Sequence, residues 1–516
     1  MIVASKLILG DAPLTLEDVR TVADGGQIVE QGVQAQQAIS ASFDFLLRSI
    51  SAGERIYGVT TGLGANVDTT VLYARDGRHD EELLQAIQRR IPLARAVGVG
   101  QQATRTQVRA IMLARLAGLA QGASGISLPV ADTLLTFLNQ GIHPRVPLIG
   151  SIGEADLAPL AHVGRALVGD GEVEYQGRIL PASTVLNRLN LTLAPLRGKD
   201  GLALVSSNAA SVGLGALLLL DIARLLNVHS GAVVLSLEAF RANITPLTPR
   251  AAQMRPAPQQ AETAAYLLTL LEGSQLLQPD GARALQDPLS FRCVAPVLAC
   301  VCHYYLLARA AVELELNSAD DNPGLLAEPG LVLANANFDA THLALALESL
   351  GMALARHAAC TGERIMKMMS PAASGLPRFL TRHAGQTGFA TLQKTVSALV
   401  SDIAHHAQPL SPLAIPVADR VEDYASQAMG VISKTTRLLE SLRYLVAIEL
   451  LVAAQALDLQ DAPQPGHYAK ALHGRVRALV APLDEDRSSA DDIAVLASEI
   501  MQPAWLAGTA PLLETA

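Results

Sequence analysis

Residues 211–228 read SVGLGALLLLDIARLLNV, a stretch with too few polar residues to form the solvated face of a surface helix. Residues 261–277, 295–316, 341–360 and 425–457 have the same apolar texture. Helices that are apolar nearly all round need neighbours on every side, and a bundle shared between subunits provides them. The pattern therefore predicts a mainly α protein built around a bundle of long helices.

The regions on either side of these stretches differ from them. Residues 1–200 mix short helical, strand-like and Gly-rich segments, which predicts a smaller N-terminal region of mixed structure that carries functional loops. Residues 201–462 are expected to form the central long-helix bundle, and residues 463–516 a C-terminal helical tail. A chain of 516 residues is too long for one simple core, which agrees with such a division.

Composition excludes several classes of function. A net charge of −9 argues against nucleic acid as a partner. No uninterrupted apolar run reaches the roughly 18 residues of a membrane span, so no membrane partner is expected. Four cysteines without a disulfide framework and an N-terminus unlike a secretory signal predict a cytoplasmic protein. Cys300, Cys302 and His303 lie in an apolar run, so we expect buried helix residues rather than a metal site.

Four loop segments combine Gly or Pro with isolated polar residues: YGVTTGLG at 57–64, GSIGEADLAPLAH at 150–162, QDPLSFRC at 286–293 and NSADDNP at 317–323. Polar residues in apolar surroundings need hydrogen-bond partners, or they are functional. Taken singly, each segment is equally well explained as a turn.

Together and in this order, the segments resemble the histidine and phenylalanine ammonia-lyase family, from about residue 5 to about residue 460. In that family the first segment reads Tyr-Gly-Val-Asn-Thr-Gly-Phe-Gly, and its Tyr, which removes the β-proton of the substrate, matches Tyr57. The family Arg that binds the substrate carboxylate matches Arg292, and a planar guanidinium suits this role. The resemblance implies a long-helix bundle of the ammonia-lyase and fumarase type, and a homotetramer whose sites combine residues from three chains.

Further positions match family site residues. Gln286 falls on a site residue, Phe338 on an aromatic pocket residue, and Glu422 on the acid that faces the imidazole ring in histidine ammonia-lyases. The resemblance thus implies a small-molecule substrate with a β-proton, a carboxylate and an imidazole-like ring.

The second segment departs from the family. Its family form, Gly-Ser-Val-Gly-Ala-Ser-Gly-Asp, contains the Ala-Ser-Gly that cyclises into the methylidene-imidazolone electrophile. Here Gly153-Glu154-Ala155-Asp156 is one residue shorter and lacks the Ser, so no cofactor is predicted, with Ala155 at its position. The family Asn that supports the electrophile falls on Ser206, and Thr60, Arg95 and Leu289 replace other family residues. A second Ala-Ser-Gly, at 373–375, matches a different family segment and is predicted to be a turn.

An enzyme of this family without the electrophile needs a substrate whose leaving group is already good. A trimethylammonium group leaves as a neutral amine, so the sequence predicts a lyase that eliminates trimethylamine from ergothioneine or a related amino-acid betaine. Tyr57 would be the base, Arg292 would hold the carboxylate, and Glu422 would accept the ring N–H.

The roles of two further residues are open to two interpretations each, and a third residue has one expected role. Lys394 either faces the thione sulfur or is a surface Lys of a helix, and Asp339 either lies near the leaving group or is a solvated loop acid. Phe338 would contact the cation through its ring. Two other functions stay open: an electrophile-dependent ammonia-lyase or 2,3-aminomutase, in which the letter at Ala155 stands for three fused residues, and a non-catalytic binding protein.

Overall fold

The computed structural model describes residues 5–64, 67–68, 81–410, 415–506 and 511–513, and these are mainly α-helical. The α-helices are α1 (Leu16–Ala23), α2 (Val33–Ser51), α3 (Glu81–Arg95), α4 (Arg105–Ala120), α5 (Leu128–Gln140), α6 (Leu157–Leu167), α7 (Ala182–Arg188), α8 (Asp200–Val205), α9 (Ala209–Phe240), α10 (Pro249–Met254), α11 (Gln260–Leu270), α12 (Leu289–Arg292), α13 (Val294–Leu316), α14 (Thr341–Met368), α15 (Pro371–Ser374), α16 (Leu392–His406), α17 (Ala428–Asp458), α18 (His467–Leu479) and α19 (Ser489–Glu499). Short 3-10 turns lie at Thr245–Leu247, Gln275–Leu277, Arg378–Leu380 and Pro503–Leu506.

Four long helices, α9, α13, α14 and α17, form the predicted bundle. α9 packs most extensively against α17 and also contacts α4 and α13, while α14 packs against both α13 and α17. Almost every residue of α9 is buried, which explains why its sequence has no polar face. The mainly α class and the long-helix bundle are therefore confirmed.

The strands are short and lie mostly in the N-terminal region. β1 (Ser5–Leu9) pairs in parallel with β2 (Gln27–Gln31), and β3 (Val99–Gln102) pairs antiparallel with β5 (Pro147–Ile149). β4 (His143–Pro144), β6 (Glu172–Tyr175) and β7 (Arg178–Pro181) form an antiparallel sheet, as do β8 (Gly324–Leu326) and β9 (Leu331–Leu333). One hydrophobic cluster contains buried residues of all three predicted regions, from Leu9 to Leu513. The division of the chain into these regions stays a prediction.

Among the residues that the structure describes, three helical stretches are long and apolar enough to cross a membrane by length and composition alone: 200–240, 294–316 and 341–368. Inside the protein, 89% of the most apolar window of the first stretch is buried, compared with 44% and 56% for the other two. Packing against neighbouring helices accounts for the apolar composition of the first stretch. The absence of a membrane partner stays a prediction.

A fully buried charged network joins three helices of the bundle. Glu449 on α17 accepts hydrogen bonds from Arg364 Nε on α14 (2.7 Å) and from Ser236 Oγ on α9 (2.9 Å), and its Oε2 lies 3.1 Å from His229 Nε2. Burial opposes ionisation of Glu449, but Arg364 and His229 outweigh it and lower the pKa of this carboxyl to about 2. Arg364 Nη1 also donates to the carbonyl of Ser290, so the network supports the α12 turn.

Candidate active site

A cavity of about 600 Å³ lies where the first two predicted loop segments and Asn322 of the fourth segment meet residues 338 and 418–424. Its wall is formed by Tyr57, Leu63, Gly64, Arg95, Glu154, Ala155, Leu157, Leu202, Ser206, Asn322, Phe338, Ala418, Val421, Glu422, Asp423 and Tyr424. The structure thus brings together the predicted Tyr57, Ala155, Ser206, Phe338 and Glu422, although they are far apart in the sequence.

Tyr57 lies in the loop that follows α2, and its phenol oxygen is held by the same loop. The Gly64 N–H donates a hydrogen bond of 2.9 Å to Tyr57 Oη. Gly58, at φ 69°, makes the turn possible, because a Cβ at this position would overlap the side chains of Leu63 and Leu202. The loop therefore presents Tyr57 to the cavity with a backbone donor already directed at its oxygen.

The segment at the family's electrophile position is ordinary hydrogen-bonded backbone. Ala155 adopts a left-handed φ of 58°, and its N–H donates to the carbonyl of Phe338 at 3.3 Å. The buried carboxyl of Asp156 accepts from Ser151 Oγ at 2.7 Å and from the Ser211 N–H at 2.6 Å. With no Ser or Gly beside Ala155, this segment does not fit a methylidene-imidazolone.

Acidic side chains form one wall of the cavity. Glu154 Oε1 accepts from the Ser426 N–H at 2.9 Å, and Glu154 is bridged to Asp339 through the backbone. Burial raises the pKa of Glu154 to about 7, and the neighbouring Asp339 and Glu422 add to the rise, against the opposing hydrogen bond from Ser426. Asp339 also accepts from Thr341 Oγ1 at 2.9 Å. This wall suits a cationic ligand.

Sequence reasoning did not assign roles to two residues that line the cavity, Arg95 and Glu154. Arg95 replaces a family residue, and Glu154 lies in the segment that lacks the Ser of the family. Burial lowers the pKa of Arg95, while the nearby Tyr57 and Glu422 raise it. The available signal was a charged residue in an otherwise apolar and glycine-rich stretch, IPLARAVGVG at 91–100 for Arg95 and GSIGEADLAP at 150–159 for Glu154.

Four predicted site residues do not line this cavity within the part of the chain that the structure describes, and one of them, Asp339, adjoins it through the backbone bridge to Glu154. Arg292 is the last residue of α12 and is half-buried, whereas Gln286 and Lys394 are exposed. Leu285 and Leu289 flank this region with 89% and 67% of their surfaces exposed. In a single chain the predicted carboxylate-binding Arg is therefore separate from the predicted base.

The other Ala-Ser-Gly run has the structure that was predicted for it. Ser374 ends α15, and Gly375 follows with φ 77° and an N–H that bonds to the carbonyl of Pro371. Both residues line a different cavity, beside the end of α9. The expected turn at residues 373–375 is therefore confirmed.

Comparison with known proteins agrees with the geometry. The model of the aromatic amino acid lyase family matches residues 14–478. The chain belongs to this family. A histidine ammonia-lyase from Anaeromyxobacter sp. (strain K) is 36% identical, over 95% of this chain and 98% of that protein. Family membership supports a carbon–nitrogen lyase.

Solved structures of aromatic amino acid lyase relatives share the whole fold. The ergothioneine-degrading enzyme ergothionase from Treponema denticola, in complex with desmethyl-ergothioneine sulfonic acid, superposes with a TM-score of 0.92 at 32% identity, covering 98% of this chain and 100% of that one. Tyrosine aminomutase from Streptomyces globisporus gives a TM-score of 0.89 at 30% identity, covering 97% and 98%. The ammonia-lyase type of helical bundle is thereby confirmed.

Proposed function

We propose that the protein is a carbon–nitrogen lyase that eliminates trimethylamine from ergothioneine, or from a related amino-acid betaine, without a methylidene-imidazolone. The observation that carries this proposal is the segment 153–156, which lacks the Ser that forms the electrophile and is ordinary hydrogen-bonded backbone. It borders a cavity that retains the tyrosine base and the ring-binding acid of the family, Tyr57 and Glu422. A cavity with a base but no electrophile suits a substrate that carries its own good leaving group.

The reaction removes one proton from the substrate. Tyr57, as the phenolate, takes the β-proton. The electron pair of the broken C–H bond forms the C=C bond, and the C–N bond breaks with its pair leaving on trimethylamine, which departs neutral. The other product is thiolurocanic acid, and Tyr57 returns its proton to solvent.

The acidic wall suits a quaternary ammonium better than a neutral group. Such a cation has no N–H to donate, so carboxylates attract it through charge alone, and an aromatic face attracts it through its quadrupole. Glu154 and Phe338 line the cavity, and Asp339 adjoins both. We assign these three residues to the trimethylammonium end of the substrate.

Arg292, Gln286 and Lys394 would complete the site from neighbouring copies in a homotetramer. An assembly of this kind would cover apolar side chains that are exposed in the single chain, near Arg292 and on the long helices: Leu285, Leu289, Leu306, Leu307, Leu314 and Leu345. In this arrangement Arg292 binds the carboxylate and Lys394 faces the sulfur.

The alternative function is an electrophile-dependent histidine ammonia-lyase, which the name of the Anaeromyxobacter relative favours. The deciding experiment incubates the purified protein with ergothioneine and, separately, with histidine, while released amine and near-ultraviolet product absorbance are followed. We expect trimethylamine from ergothioneine and no consumption of histidine. Ammonia released from histidine would overturn the proposal.

Glu154→Gln should raise KM for ergothioneine about five- to tenfold at pH 8, because a charge interaction of roughly 1–1.4 kcal/mol with the cation is lost. Since the pKa of Glu154 is raised to about 7, the wild-type carboxyl is neutral below pH 7 and charged above it. KM of the wild type should therefore fall as pH rises through 7, and KM of the variant should not. Glu262→Gln, an exposed acid on α11, is the matched control. Equal KM profiles for the wild type and Glu154→Gln would contradict the cation-binding role.

Lys394→Ala tests the contact with the sulfur. If the ammonium group faces the thione, the variant should lose about tenfold in kcat/KM for ergothioneine, the usual size of one charge-assisted hydrogen bond. Lys470→Ala, an exposed Lys on α18, is the control and should behave as wild type. Unchanged kcat and KM in Lys394→Ala would show that Lys394 is only a surface residue.

A further inference from the structure

Tyr424 lines the active-site cavity, and its hydroxyl is held by the start of α14. Tyr424 Oη lies 2.6 Å from Oγ1 of Thr341, the first residue of that helix. Thr341 in turn donates to both oxygens of Asp339, from its hydroxyl at 2.9 Å and from its N–H at 3.2 Å. A chain of hydrogen bonds therefore joins the Tyr424 side chain to a carboxyl group at the edge of the cavity.

The direction of these hydrogen bonds is set by the single proton of the Thr341 hydroxyl. That proton goes to Asp339, so Thr341 Oγ1 accepts the other hydrogen bond and the Tyr424 O–H donates it. Both oxygens of Asp339 accept, which suits an ionised carboxylate. Because the one hydroxyl proton of Tyr424 is used inside the protein, Tyr424 offers a ligand its aromatic ring rather than a hydrogen-bond donor.

The carboxylate at the end of this chain is also connected to the other members of the acidic wall. Glu154 and Asp339 pair through an antiparallel backbone bridge, and the Ala155 N–H donates to the carbonyl of Phe338 at 3.3 Å. Glu154 and Phe338 line the cavity together with Tyr424. Two aromatic and two acidic side chains therefore belong to one hydrogen-bonded unit at this end of the cavity.

Aromatic rings combined with carboxylates suit a quaternary ammonium group. Such a cation has no N–H, so it is bound by the negative face of a ring and by nearby negative charge, not by directed acceptors. With 50% of its surface exposed, Tyr424 has ring surface available to a ligand in the cavity. A ring whose hydroxyl is already tied to Thr341 also needs little further ordering when a cation binds.

We propose that Tyr424 is a specificity-determining residue, whose ring, fixed by Thr341, forms the second aromatic surface of a pocket for quaternary ammonium cations. The inference rests on the proposed function in placing the trimethylammonium group of the substrate beside Phe338, Glu154 and Asp339. It goes further in requiring that this pocket recognises the cation by itself. A small quaternary ammonium compound without the ring and carboxylate of the substrate should therefore bind to the protein.

The direct test is calorimetric titration of the purified protein with choline and with 3,3-dimethylbutan-1-ol, its neutral analogue of the same shape. Choline should bind at least about tenfold more tightly than the alcohol. Tyr424→Leu should weaken choline binding about three- to tenfold, the usual effect of losing one cation–π contact. Tyr424→Phe and Thr341→Val keep the ring but not its hydrogen bond, and each should weaken binding about twofold. Tyr444→Leu, on α17 beside a different cavity, is the control and should bind as wild type.

Three results would overturn the inference. The first is that the wild type binds choline no more tightly than the neutral alcohol. The second is equal choline affinity in the wild type and Tyr424→Leu. Where Tyr424→Leu does not fold, the third is unchanged choline affinity in both Tyr424→Phe and Thr341→Val.

Kinetics separates this inference from the proposed function. In Tyr424→Leu, KM for ergothioneine should rise by about the same factor as the Kd of choline, while kcat changes less. If ergothioneine is not turned over but choline binding depends on Tyr424, the proposed elimination fails and the cation pocket stands. If ergothioneine reacts and Tyr424→Leu changes neither KM nor choline binding, the role of Tyr424 fails alone.

Discussion

Tyr57→Phe should lower kcat for release of trimethylamine from ergothioneine by about 10²–10⁴-fold, the usual contribution of a positioned general base. The variant removes one oxygen, and with it the hydrogen bond from the Gly64 N–H, but keeps the ring that lines the cavity. KM should change little, because no assigned substrate contact is lost. The measurement is kcat at saturating ergothioneine, alongside the thermal midpoint.

Tyr444→Phe is the matched control, since Tyr444 lies on α17 and lines a different cavity. It should retain wild-type kcat. If Tyr57→Phe keeps more than a tenth of the wild-type kcat, another group removes the proton and Tyr57 is not the base.

Arg364→Met should destabilise the folded protein by about 3–5 kcal/mol, the usual result of removing one partner of a buried ion pair. The substitution leaves Glu449 with 0% of its side chain exposed and without its guanidinium partner. Because Arg364 also holds the Ser290 carbonyl, the turn that ends in Arg292 should loosen as well. The measurement is the urea midpoint by circular dichroism.

A double variant distinguishes an unpaired buried charge from simple loss of packing. Arg364→Met combined with Glu449→Gln should recover part of the lost stability, because the remaining partner is then neutral. Lys6→Met, which breaks the exposed pair of Lys6 with Glu30, is the control and should cost at most about 1 kcal/mol. A loss of less than about 1 kcal/mol in Arg364→Met would mean that water or another group solvates Glu449.

The existence of the long helices was predictable from sequence, but their ends were not. The apolar stretch 211–228 predicted a helix, whereas α9 continues to Phe240 through His229, Ser236 and Glu238. In the sequence, these polar residues interrupt the apolar pattern and so suggest that the helix ends before them. Their partners, such as Glu449 for His229 and Ser236, lie more than two hundred residues away, so the sequence alone gives no sign that they are buried.

The site was predictable only where motifs matched the family. Tyr57, Phe338 and Glu422 were identified in this way, and the structure places all three on one cavity. The contact between Glu154 and Asp339 was not predicted, because it depends on a backbone bridge between distant segments. Arg292 and Lys394 lie outside this cavity in the single chain, and no local sequence pattern indicates that separation.

The near-complete burial of α9 has a consequence for synthesis on the ribosome. Its most extensive partner, α17, begins at Ala428, so 187 residues separate it from the end of α9 at Phe240. At about 5–20 residues per second, translation of that interval takes roughly 10–40 s. During this time the surface of α9 that α17 will cover is exposed to other nascent chains. Chaperones that bind emerging apolar segments are therefore expected to determine how much of the protein reaches its folded form in the cell.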